Sequence, residues 1–329
     1  MKNLRLFSAF AYILSLTSCL SFNSVNAQSI TPVINGTGTQ VIQFGNTYTI
    51  QGGAVSSDRA NLFHQFEKFG LNANEIANFL ANPQTRNIFG SVGGGNPSII
   101  DGLIRVTGGN PNLFLSNPAG ILFGANAKLD IPGSLTVTTA NGISFGDKWL
   151  SVLGSNNYAA FVGNPTGFTF TMAQPGGIAN EGNLSVPTGQ SVMLVGGTVL
   201  NTGTISAPGG NITIAAVPGT NRVRISQEGR LLSLELAADK GTSGVQSVPF
   251  SPRMLPDLLT SGRVPILDVP IPTEGGTAIV SGQLSVAGNQ STNQTPQINI
   301  LGQKAGLVDA RVDASGSYGG GTIRIGGDY

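Results

Sequence analysis

Asn180-Glu181-Gly182-Asn183-Leu184-Ser185 returns as Asn201-Thr202-Gly203-Thr204-Ile205-Ser206 at an offset of 21 residues. Val192-Met193-Leu194-Val195 lies between the two copies, and Ile212-Thr213-Ile214 follows the second. One unit therefore reads turn, strand, turn, strand. A period of about 20–50 residues marks a solenoid. A sandwich or barrel also strings short strands at regular spacing, but neither needs a near-copy one unit later. A coil this short cannot bury its own apolar face, so its stability comes from the coils on either side. Parallel strands lie about 4.8 Å apart, so Val, Ile and Leu at equivalent positions stack into one core. Gly and Asn take the corners where φ is positive. The pattern predicts an all-β chain: a right-handed parallel β-helix with an amino-terminal cap and extra-helical hairpin and loop excursions.

Composition agrees. The 329 residues include 47 Gly, with 40% hydrophobic and 10% charged residues. The glycines follow no three-residue period, which excludes collagen. The low charge and high apolar content exclude disorder by self-repulsion.

Along the chain, Val41-Ile42-Gln43-Phe44 and Tyr48-Thr49-Ile50 alternate as half-buried strands do. Leu62, Phe63, Phe66 and Phe69 crowd together, and Ile76, Phe79 and Leu80 fall at helical spacing before Asn82-Pro83. Residues 58–90 thus read as an irregular aromatic cap, with one short helix, over the open end of the stack. From residue 98 the apolar runs become regular: Ile99-Ile100, Leu103 to Val106, Leu113 to Leu115, Ile121 to Phe123, Leu129 to Ile131, Leu135 to Val137 and Ile143 to Phe145. Two excursions interrupt them. Residues 222–240 read as a projecting hairpin. Residues 249–272 carry Pro249, Pro252, Pro256, Pro265, Pro270 and Pro272, too many for central strands. They read as a loop packed outside the stack, with a helical turn at Leu255 to Leu259. Strands resume at Ile279 and end with Thr322 to Ile325. A stack that stops on a strand without a polar cap reads as a fragment or a naturally truncated version of a longer chain.

Residues 1–27 read as a secretory signal: Lys2 and Arg5, an apolar run from Leu6 to Leu16, and small residues at Val25-Asn26-Ala27. The run falls short of the ~20 residues a membrane span needs. Leu16-Thr17-Ser18-Cys19 also matches a lipobox, which would leave Cys19 lipid-anchored. Cleavage after Ala27 instead removes the only cysteine. A mature chain without disulfides is unusual among exported proteins. It suits a chain that crosses a second membrane unfolded, and equally a β core that needs no staples. Of the 17 basic residues Lys2 and Arg5 leave with the signal, against 16 acidic ones, for a net charge of −1. Without a basic cluster, nucleic acid is not an expected partner.

Nothing assembles into a catalytic constellation. His64 is the only histidine, and its aromatic neighbours suggest structure rather than a triad. Trp149 and the phenylalanines read as core. Asp309 and Asp313 are spaced to share one face of a regular strand, as solvated side chains. Asp58, Glu67, Glu75, Asp101, Asp130, Asp147 and Glu181 are scattered, where a polysaccharide lyase or hydrolase needs clustered carboxylates. Gly93-Gly94-Gly95 lacks the lysine and the strand–loop–helix setting of a phosphate loop. No cofactor or metal is expected, and the chain does not read as an enzyme. The competing reading is a stand-alone envelope β-helix, either a lipoprotein or a polysaccharide-active enzyme.

Three ordered segments carry a resemblance. They are Asn61-Leu62-Phe63-His64-Gln65-Phe66-Glu67-Lys68-Phe69, Ile99-Ile100-Asp101-Gly102-Leu103-Ile104, and Asn112-Leu113-Phe114-Leu115-Ser116-Asn117-Pro118-Ala119-Gly120-Ile121-Leu122-Phe123-Gly124. Over roughly residues 30–150 the chain resembles the amino-terminal secretion (haemagglutination activity) domain of filamentous-haemagglutinin-type two-partner secretion exoproteins, and is similar to cyanobacterial members. The resemblance implies a domain core at 30–150, with β-helix coils continuing over 151–329. It implies Sec export, recognition by a partner outer-membrane β-barrel transporter, passage through it unfolded, and coiling outside as an adhesin. The product would be secreted or held at the cell surface, where a host or cell-surface receptor or glycan is the further partner. Asn117, Pro118, Gly120 and Ile121 become the secretion motif, as transporter contact or as turn. Asn61, Leu62, Phe63, His64, Phe66 and Phe69 become a structural motif. The family's Asn-Pro-Asn-Gly turn carries Ala119 here. Pro118 and Gly120 still suit the turn, but position 119 offers no amide to a transporter.

Overall fold

The computed structural model describes residues 30–225, 232–235, 255–256, 259, 275–288, 295–316 and 319–326. The signal at 1–27 lies outside the described residues, as does most of 226–274.

From Asn87–Val92 the chain visits three sheets in turn. It passes to Ser98–Ile100, then to Leu103–Thr107, and returns to the first sheet at Asn112–Ser116. Each strand pairs in parallel with its predecessor one coil earlier: Leu113 lies opposite Ile88, Leu122 opposite Ile99, and Leu129 opposite Ile104. This is the expected parallel β-helix, and parallel crossovers take the right-handed sense. The near-copy in sequence is one turn of it, with Leu184 facing Ile205 and Ser185 facing Ser206.

Alternation along each strand sends one set of side chains inward. Ile88, Leu113, Leu135, Val192, Ile212 and Ile298 form one column, none more than 1% exposed. Cutting any of them to alanine removes about 2–5 kcal/mol of stability. At the corner into the third sheet, backbones stack too closely for side chains. A methyl group on Gly203 would strike the Gly182 carbonyl, and one on Gly282 the Gly203 carbonyl.

The cap differs from the expected one. It is built by residues 31–55, not by 58–90. Thr31–Pro32 and Ala54–Val55 pair antiparallel with Asn61–Lys68, and Thr39–Phe44 pairs antiparallel with Thr47–Gly52. Asn61–Lys68 is itself the first strand of the long sheet, parallel to Asn87–Val92. His64 and Phe66 of this strand fill the first coil from within. The helix expected at Ile76 to Leu80 is a strand, Ile76–Leu80, with Phe79 opposite Val106. Ala77 and Phe79 are fully buried while Ile76, Asn78 and Leu80 are half-buried. The period is two, and coil-to-coil pairing outweighs the local helical spacing.

Ile143-Ser144-Phe145, expected as another stacked strand, leaves the stack instead. Phe145 lies opposite Lys148 across a two-residue turn whose Gly146 has φ 63°, a geometry that reverses the chain. Gly142–Phe145, Lys148–Ser151, Gly167–Phe170, Asn221–Ile225 and Leu232–Glu235 form a separate five-stranded antiparallel sheet. The hairpin expected at 222–240 therefore joins this sheet through its described strands. The stack is interrupted twice between the first and second sheets, after Leu135–Thr138 and after Asn211–Ala216, and both expected excursions fall in the second interruption. The added sheet covers the outer face of the long sheet, where Phe63, Phe89, Phe145, Phe161, Phe168 and Phe170 share a second core. Of the loop expected at 249–272, Leu255, Pro256 and Leu259 are helical. Leu255 and Leu259 are buried on Leu122, Ala179 and Leu200, the outer face of the second sheet. The rest of that loop lies outside the described residues.

Candidate functional site: the Asn-Pro-Ala-Gly turn and the Asn-Leu-Phe strands

Asn112–Ser116 ends in the first sheet and Ile121–Phe123 begins in the second. Asn117-Pro118-Ala119-Gly120 makes the corner. The Gly120 N–H donates to the Asn117 carbonyl at 3.0 Å, closing a β-turn. Pro118 presets φ at its second position, and Gly120 sits at φ 121°, a region that favours glycine. The Asn117 side chain uses both ends. Its Oδ1 accepts from the Ala119 N–H at 2.9 Å. Its Nδ2 donates to the Asn96 carbonyl and to Ser98 Oγ, both at 2.9 Å and both on the preceding coil.

The whole turn is enclosed, and Asn117, Ala119 and Ile121 are 0% exposed. Gly176 of the re-entering chain lies against it, where a side chain would come within 2.6 Å of the Pro118 carbonyl. In the folded chain position 119 therefore faces the protein interior, not a partner.

The second motif lies in the first coil. Leu62, His64 and Phe66 point inward, and Phe63 points outward onto Phe89 with ring centroids 5.1 Å apart. Phe69 packs edge-on against Phe66. The His64 ring is fully buried. Its Nδ1 shares a 3.1 Å hydrogen bond with Thr39 Oγ1 of the cap, and Nε2 has no partner. Burial pushes its pKa down to about 4, so His64 is neutral at pH 7. Asn61 Nδ2 donates to the Phe161 and Gly163 carbonyls at 2.8 Å, which anchors the segment between Leu135–Thr138 and Gly177–Asn180.

The two motifs sit at separate places but share one device. Asn87 Nδ2 donates to Asn61 Oδ1 at 2.8 Å, and Asn112 Nδ2 to Asn87 Oδ1 at 3.1 Å. Asn112 Oδ1 then accepts from Ser134 N–H, Ser134 Oγ from Ser191 N–H, Ser191 Oγ from Asn211 N–H, and Asn211 Oδ1 from Gln297 N–H. A polar ladder thus runs the length of the long sheet. Asn87, Asn96 and Ser98 were not among the residues expected to matter. The signal was available: Asn61-Leu62-Phe63, Asn87-Ile88-Phe89 and Asn112-Leu113-Phe114 are one motif written three times. Its Asn forms the ladder, its Leu or Ile the inner core, and its Phe an outer stack, with Phe89 and Phe114 centroids 4.6 Å apart.

Several of the scattered acids have local partners, whereas Glu181 Oε1 is buried without one among the described residues. Asp58 accepts from Ala60 N–H and Gly163 N–H, Asp101 from the Asn126 backbone and side chain, and Asp130 pairs with Arg105 at 2.7 Å. Asp309 occupies a turn at φ 53° between Lys304–Leu307 and Arg311–Asp313. It therefore does not share a strand face with Asp313, because the run is broken there. Among the described residues no group of three acidic, histidine or cysteine side chains could hold a metal.

The family model described as the TPS secretion domain matches residues 27–255, more than half of the chain. The chain belongs to the TPS secretion domain family. A TPS domain marks the substrate of two-partner secretion, directed to the cell exterior through a partner. Similar solved structures include the HMW1 secretion domain from Haemophilus influenzae, at 19% identity and a TM-score of 0.47, covering 88% of this chain and 65% of that one. This chain thus spans less than two thirds of that chain's length. The filamentous hemagglutinin secretion domain aligns at 16% identity and a TM-score of 0.43, covering 91% of this chain and 100% of that one. No curated protein sequence matches the chain.

Proposed function

We propose that this chain is an adhesin-type exoprotein. After a signal at 1–27 the Sec machinery exports it. The TPS domain, with its core at 30–150, is recognised in the periplasm by a partner outer-membrane β-barrel. The chain crosses unfolded and coils outside, and residues 151–329 extend the β-helix as a surface stalk. Its work is export and contact with a cell-surface receptor or glycan, not catalysis.

The observation that carries this reading is the burial of the Asn117 to Ile121 turn. A transporter that reads these side chains meets them only before the coil closes, as a substrate handed over unfolded requires. Closing each coil buries another rung of the inner column, which opposes return through the pore.

The test compares Asn117→Ala with Leu135→Ala, a core truncation expected to be similarly destabilising. If the turn is read during export, Asn117→Ala lowers release through the barrel more than Leu135→Ala does. Equal release of the two assigns Asn117 to the fold alone.

A further inference from the structure

The added antiparallel sheet covers the outside of the first sheet, and Leu255 and Leu259 cover the second. Beside the third sheet, at its corner with the second, an open groove of about 500 Å³ runs along the helix axis. One wall is Glu181, Thr202, Ser281 and Asp309; the other is Asn183, Thr204, Gln283 and Arg311. The second wall follows the coil register, with Asn183 opposite Thr204, Thr204 opposite Gln283, and Gln283 opposite Arg311. Gly182, Gly203 and Gly282 separate the walls.

We propose that this groove binds a linear, neutral polysaccharide lying along the helix axis. Three observations point to that class. First, the walls present hydroxyl, amide, carboxylate and guanidinium groups once per coil, about 4.8 Å apart, close to the length of one sugar unit in an extended chain. The side chains of Thr204, Ser281, Gln283 and Asp309 make no hydrogen bond among the described residues, so they are available to hydroxyl groups. Second, the floor offers nothing to a peptide backbone. Thr204 N–H is bonded to Gly182 O, Gln283 N–H to Gly203 O, and Arg311 N–H to Gly282 O, at 2.9–3.0 Å. Third, the charge is mixed. One arginine stands against two carboxyls, and burial with the nearby Asp101 carboxylate holds Glu181 above the usual carboxylate range. An acidic polymer or nucleic acid would need a basic row. The proposal deepens the surface-contact part of the proposed function and rests on it only for biological setting.

The experiment uses the full secreted chain, titrated by calorimetry with neutral β-linked glucan and mannan oligosaccharides of two to six units, and with heparin oligosaccharides as the acidic comparison. We expect binding of a neutral series that strengthens with length up to about four units, one per coil. Thr204→Val and Gln283→Ala should each weaken it about fivefold, the worth of one hydrogen bond. Both side chains are solvent-accessible, so melting temperature and barrel-dependent release should stay unchanged. Length-independent binding, binding unaltered by both variants, preference for heparin, or no binding of any neutral oligosaccharide would each overturn the proposal. Release is measured separately, so its failure would count against the export reading and not against the groove.

Discussion

Asn117 Nδ2 and Ser98 Oγ lie 2.9 Å apart, 19 residues apart in sequence, and join two successive coils at the corner between the first and second sheets. The residue that most resembles a secretion signal is also a fully enclosed structural amide. Asn117→Ala deletes three hydrogen bonds and leaves the Asn96 carbonyl and Ser98 hydroxyl without that partner. A loss of about 3 kcal/mol is expected, read as a lower urea midpoint with unchanged slope. A change below 1 kcal/mol would remove the structural role.

The asparagine ladder should behave cooperatively. Asn87 both donates to Asn61 and accepts from Asn112. Asn87→Ala therefore removes a partner from the buried Asn61, from the half-buried Asn112 and from Asn164 Oδ1, and is expected to cost about 2–3 kcal/mol. A double-mutant cycle with Asn61→Ala should give a coupling of at least about 0.5 kcal/mol. Strict additivity would mean that the two amides act independently.

His64 gives the fold a pH dependence of defined sign. Its folded pKa is about 4, against about 6.5 in the unfolded chain. Between those values the unfolded state binds a proton that the folded state does not. Stability is therefore full above pH 6.5 and declines as pH falls toward 4, by an amount on the order of 3 kcal/mol. Urea midpoints at pH 7.5 and 4.5 should differ, and His64→Phe should flatten that difference. Equal pH dependence in both proteins would show that other groups dominate.

The sequence made the coil legible because stacking demands repetition. Leu184 and Ile205 occupy equivalent positions, and their flanking residues nearly copy each other. It hid the first coil because Ile76, Phe79 and Leu80 suit a helix locally, and only pairing of Phe79 with Val106 decides otherwise. It hid the covering sheet because Ile143 and Phe145 look like any other buried strand, while Leu150 and Phe168 opposite Ile143, and Val223 opposite Phe168, follow in scattered order. At the site, the turn chemistry of Pro118 and Gly120 could be read from residue type. The enclosure of the turn could not, because Gly176, which lies against Pro118, Ala119 and Gly120, returns only after the segment that follows Leu135–Thr138.

The most direct test of the account is release of the full chain into the medium with and without the cognate outer-membrane barrel. The account predicts release with the barrel and periplasmic retention without it. Equal release in the barrel's absence would contradict two-partner secretion of this chain.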